Sequence, residues 1–108
     1  MTIQLPAPVT AYFLATNRHD IDSMLVPFAA DAIVQDEHEK HVGHVAISAW
    51  MVETTRKYRV TVEPQESEEF NGRTTVAGLV SGDFPGSPAK LRFSFTLSSA
   101  GIYRLEIG

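Results

Sequence analysis

The chain contains no cysteine, which excludes disulfides, thiol catalysis and cysteine-ligated zinc. It also lacks any apolar run near the ~20 residues that cross a bilayer, so no membrane partner is expected. A basic excess is missing too. Nine Lys and Arg stand against thirteen Asp and Glu, for a formal charge of −4, and the basic residues are scattered from Arg18 to Arg104 without forming a stripe. Nucleic acid calls for a basic face, so no nucleic-acid partner is expected. Met1 to Pro8 show neither a basic start nor a long apolar stretch. No secretory signal is read there, and a cytoplasmic location is the expectation. What remains is globular material: 108 residues, 44% hydrophobic and 20% charged. That is enough for one domain over residues 1–108 with a single core, and too apolar for a disordered chain.

The most informative run is Phe28 to Glu37, where a helical pattern stops and a strand, Ala32–Glu37, begins. The strand ends on two adjacent carboxylates. Successive strand side chains point to opposite faces. One acid therefore shares a face with Ala32 and Val34, and the other with Ile33 and Gln35. A carboxylate that follows an apolar row inward needs a partner, a raised pKa or a chemical role.

Around this run the chain divides clearly. Val9, Tyr12, Phe13 and Thr16 recur at helical spacing after Pro8, which suits a first turn. Asp20 caps a short second helix whose stripe is Ile21, Met24, Leu25 and Phe28, and Pro27 ends it. The polar stretch His38–Gly43 reads as a loop. Val45, Ile47, Trp50, Met51, Thr54 and Tyr58 predict a third helix over 44–58. The period then changes to two. Strands are predicted from Arg59 toward Phe70, turning at Asn71-Gly72, then over Thr74–Asp83, and after the Phe84–Pro88 turn over Leu91–Leu97. A last strand covers Ile102–Ile107. Helices first and strands afterwards make an α+β layout. Three helices packed on one face of a strongly curved, mostly antiparallel sheet would enclose a cone-shaped cavity.

Asn17-Arg18-His19-Asp20-Ile21-Asp22, Phe28 to Asp36, Gly43 with the helix through Trp50, and Phe84 to Pro88 together resemble the nuclear transport factor 2-like superfamily, its SnoaL-like group in particular. The resemblance covers essentially the whole chain. It implies a single α+β cone, usually a homodimer. Function does not follow from that fold, because members include isomerases, dehydratases, hydrolases, cyclases and transport adaptors. A gap-free match from Tyr12 to Asp36 with the ketosteroid isomerase branch goes further. It implies Asp36 as a catalytic base and Tyr12 as a hydrogen-bond donor to a ligand oxygen, the arrangement described in general for that isomerase. The branch carries a second acid near the position of Phe93, and the row Leu91, Phe93, Phe95, Leu97 holds no carboxylate.

Val34, His38, Trp50, Tyr58, Phe93 and Phe95 are the expected pocket-lining residues. The three-apart histidines His38, His41 and His44 lie near Asp36 and Glu37, but Gly43 interrupts their geometry, so no metal site is expected. No cofactor is expected either. Lys90, Arg92, Ser94 and Thr96 alternate with the apolar row and are expected on the sheet's outer face, where the resemblance implies a dimer interface; a polar row suits a wet one. Two functional readings stay open. One is a small-molecule-binding domain without catalysis, favoured by compactness and by the missing second acid. The other is a cofactor-independent isomerase, cyclase or dehydratase for a small apolar or polyketide-like substrate, with Asp36 as general base. A cone filled by Trp50 and the phenylalanines would support the first. An open pocket bearing Asp36 and Tyr12 is what the second requires.

Overall fold

Pro8 opens the first helix, α1 (Ala7–Asn17), which buries Val9, Tyr12, Phe13 and Thr16 as their spacing requires. The computed structural model describes residues 4–108. Asp20 accepts a bond from the Ser23 N–H and so caps α2 (Ile21–Leu25). Then come β1 (Phe28–Asp36), β2 (Glu39–Val42), α3 (Gly43–Tyr58), β3 (Thr61–Phe70), β4 (Arg73–Ser81), β5 (Ala89–Ser98) and β6 (Gly101–Ile107). The six strands form one sheet in the order β2-β1-β6-β5-β4-β3. Every pairing is antiparallel except β1 with β6, which is parallel.

Two sequence expectations are corrected here. The stretch read as a loop, His38–Gly43, contains strand β2, and β1 begins at Phe28 rather than Ala32. β1 and β2 form a tight hairpin whose two turn residues, Glu37 and His38, both have positive φ, +52° and +66°. Such turns ordinarily carry Asn-Gly or Asp-Gly, so Glu-His gave no signal. The irregular pairing of β1 with β6 between Phe28 and Ile33 likewise broke the alternation that would have revealed the start of β1. α3 forms where the apolar pattern predicts it, with Ile47, Trp50 and Met51 turned inward and Val45 88% exposed.

The core lies between the helices and one face of the sheet. Phe93 and Phe95 face it from β5, beside Phe13 and Tyr12 of α1, with ring centroids 5.2–5.8 Å apart in edge-on pairs. The Asn17-Arg18-His19 segment clamps the sheet to α1. The Asn17 side chain donates to the Val62 carbonyl (2.9 Å) and accepts from the Val62 N–H (2.7 Å). His19 Nε2 lies 2.9 Å from the Val60 carbonyl. The clamp thus fixes α1 against the start of β3.

Candidate active site

A cavity of about 290 Å³ occupies the cone. Tyr12 and Thr16 reach it from α1, Met24 from α2, and Trp50, Thr54 and Tyr58 from α3. Val62, Val80, Leu91, Phe93 and Ile107 form the sheet wall, and Phe84 and Pro85 stand at the edge. The wall is therefore mainly apolar, with polar groups gathered at the β1 end.

Asp36 shares the face of Ala32 and Val34, both fully buried, and its carboxylate lies on the cavity wall. The Trp50 indole N–H donates to Asp36 Oδ2 at 3.1 Å. Burial raises the Asp36 pKa above the ordinary aspartate value; the Trp50 hydrogen bond opposes the rise and the neighbouring Glu37 charge adds to it. Tyr12 is 3% exposed. Burial pushes its phenol well above the usual range, Thr16 opposes this, and the Asp36 charge adds to it. The phenol therefore keeps its proton and remains a hydrogen-bond donor.

Glu37 also lines the cavity, although strand alternation would send it to the opposite face from Asp36. Its positive φ takes the backbone out of strand geometry, which returns the side chain to the same side. Tyr58 donates to Glu37 Oε1 at 3.1 Å, and Phe84 meets the Tyr58 ring edge-on at 6.2 Å. These three groups gather where the β1–β2 turn, α3 and the Phe84–Pro85 turn approach one another.

A Sinorhizobium meliloti protein, provisionally named a polyketide cyclase, is 42% identical to this chain. The match covers 96% of this chain and 95% of that one, with a TM-score of 0.92. A Catenulispora acidiphila protein with a ketosteroid isomerase-like fold, solved with trimethylamine, is 20% identical over 97% and 86% of the two chains at TM-score 0.84. An NTF2-like protein from Cytophaga hutchinsonii aligns over 100% and 93% at TM-score 0.79 and 12% identity. The chain belongs to one family with the Sinorhizobium protein, and its fold is that of the nuclear transport factor 2-like proteins. No protein-family model and no curated protein sequence matched it.

Within this cone, the structure brings Asp36, Tyr12, Trp50, Tyr58 and Phe93 together around one cavity. Three other expected lining residues are corrected. Val34 and Phe95 are fully buried in the core beneath the wall. His38 is exposed and lines an adjoining outer groove with Gln35, Arg92 and Glu106, which meets the cavity at Asp36, Glu37 and the Phe84–Pro85 turn. Sequence reasoning missed Met24, Val60, Val62 and Val80 as wall residues, although the inward parity of β3 and β4 marks Val62 and Val80. His41, set aside with the other histidines, stacks on Trp50 with centroids 5.9 Å apart and planes at 30°. His44 instead meets the Phe28 carbonyl, Nε2 to oxygen 2.9 Å. Among the described residues, no three His, Asp or Glu are grouped to hold a metal.

Proposed function

We propose that this chain is a cofactor-independent proton-transfer enzyme for a small, largely apolar carbonyl compound, with Asp36 as general base. The observation that carries this reading is the Asp36 carboxylate on the wall of an open apolar cavity, with its pKa raised by burial and the protonated Tyr12 phenol lining the same cavity. A raised pKa suits a base working near neutral pH. In the proposed step Asp36 takes a proton from the carbon next to the carbonyl. The C–H electron pair moves onto the carbonyl oxygen as an enolate, and the Tyr12 hydroxyl donates a hydrogen bond to that oxygen. The enolate then either regains the proton from Asp36 at another carbon of a conjugated system, or attacks a second carbonyl of the same molecule and closes a ring, whose alkoxide oxygen takes the proton back from Asp36. The name of the 42% identical relative favours ring closure.

Phe93 favours a second reading, ligand binding without turnover, because it places an apolar ring on the wall where the isomerase branch has its second acid. One experiment separates the two. A library of aryl ketones and 1,3-diketones is screened by thermal shift, and the binders are followed by NMR in D₂O for deuterium entering next to the carbonyl. The enzyme reading expects exchange that Asp36→Asn slows by about 10²-fold or more. Binding without exchange in the parent protein overturns it.

A homodimer through the outer face of the sheet is part of the same reading. Lys90 and Arg92 are exposed there and Ser94 and Thr96 half-buried, a polar row suited to a wet interface. Sedimentation equilibrium on the parent protein and on Arg92→Glu tests it, and a concentration-independent monomer would remove it.

A further inference from the structure

The grip on Trp50 is two-sided. In the β1–β2 hairpin, Asp36 pairs with Glu39 and Val34 with His41, so His41 lies on the same side of β2 as the partner of Asp36. From there the imidazole stacks on the indole face of Trp50, while the indole edge donates to Asp36 Oδ2. One hairpin thus holds the face of the ring from β2 and its edge from β1. The outer torsion of a tryptophan is broad and roughly two-fold. Without a face contact, the ring gains orientations that carry the N–H away from the carboxylate.

We propose that His41 is a positioning residue for Asp36: by stacking on Trp50 it keeps the indole N–H on the carboxylate and so fixes the orientation in which Asp36 meets a ligand. Its bearing on turnover rests on the reading of Asp36 as a base; the geometry of the trio does not. Other charged or titratable groups surround it. Tyr12 of α1 and Glu37 of the turn both bear on Asp36. Glu39 stands opposite Asp36 in register, and Glu53 follows Trp50 by one turn along α3. The His41 ring also acts on Asp36 through space, favouring the ionised carboxylate, but less than the Trp50 bond does.

Trp50 is the only tryptophan in the chain, so a ¹⁵N-labelled sample gives a single indole N–H signal. That signal is recorded across a pH titration in the parent protein, in His41→Phe, which keeps a ring to stack, and in His41→Leu, which keeps bulk without one. The parent signal should follow the Asp36 titration, and Asp36→Asn should abolish that response. His41→Phe should retain the response. In His41→Leu the indole proton should exchange with solvent roughly fivefold faster, the population factor of one ordinary hydrogen bond, and its response to the Asp36 titration should shrink. If His41→Leu does not fold, His41→Gln carries the same expectation. Parent-like exchange and titration in the ringless variant would overturn the proposal. Failure of the base reading would show elsewhere, as deuterium exchange on a bound ketone that Asp36→Asn leaves unchanged.

Discussion

The Tyr58 hydroxyl at the end of α3 donates to Glu37 Oε1, 3.1 Å away in the turn after β1, and so ties two elements together beside the cavity. Both partners are accessible to solvent, so the bond adds little to stability. The expected effect is on the passage of a ligand. Tyr58→Phe should change the unfolding free energy by less than about 1 kcal/mol. It should also speed release of a bound ketone several-fold, measured by stopped flow on Trp50 fluorescence. An unchanged release rate would show that this link does not restrain the ligand.

Asp36 should make the parent protein less stable at neutral pH than a neutral variant. Burial raises its folded-state pKa, so the folded protein prefers the protonated form. The stabilisation from that preference is complete below the ordinary aspartate value of 3.8, and is lost as pH rises through the higher folded-state value. Asp36→Asn stays neutral throughout and can still accept the Trp50 N–H. Its melting midpoint should exceed the parent's by up to a few degrees at pH 7, and the two should converge near pH 3. An equal gap at both pH values contradicts the account.

Tyr12→Phe tests the donor directly. The ring remains packed against Phe13, Phe28 and Phe95, so the melting midpoint should move little. Loss of the hydroxyl should lower the rate of deuterium exchange on a bound ketone by about 10²–10³-fold, with affinity nearly unchanged. The opposite split, weaker binding at an unchanged exchange rate, would assign Tyr12 to ligand affinity rather than to the developing oxyanion.

The β1–β2 turn stores strain that can be released. A non-glycine residue in the left-handed region costs roughly 1–2 kcal/mol, and His38 sits there at φ +66°. Glycine relieves this but gains freedom in the unfolded chain, so His38→Gly should stabilise by about 0.5–1 kcal/mol. The measurement is the urea midpoint at constant slope. Glu37 is left intact, so the bond to Tyr58 should persist.

The elements and the main catalytic candidate were legible where local chemistry decides them. Asp20 and Ser23 marked the cap of α2, Asn71-Gly72 the β3–β4 hairpin, and Phe93 and Phe95 the inward face of β5. Asp36 was legible through alternation with Val34 and through the gap-free match to the isomerase branch. Glu37 as a wall residue was not, because alternation holds only while the backbone stays extended, and its φ is +52°. β2 was hidden by a turn of unusual composition and by a short strand of mostly polar residues. The stack of His41 on Trp50 depends on the register of that unseen strand, which no local spacing encodes. Val45 belongs to the apolar pattern of α3 yet is exposed, because helical periodicity marks an apolar stripe without saying whether anything covers it.

The parallel pairing of β1 with β6 has a consequence for biosynthesis. β6 is the last strand in sequence, yet it lies third in the sheet, between β1 and β5. A nascent chain that has emerged only through β5 can form two separate fragments, β2-β1 and β5-β4-β3, each with a bare inner edge. Those edges are templates for wrong pairing; β6 closes the β5 edge through a short hairpin, but closing the β1 edge awaits a contact across most of the chain length, which is slow to form. On the ribosome the molecule should therefore remain dependent on chaperones until β6 leaves the tunnel, and arrest just before Gly101 should give a chain far more prone to aggregation than arrest well beyond Ile107.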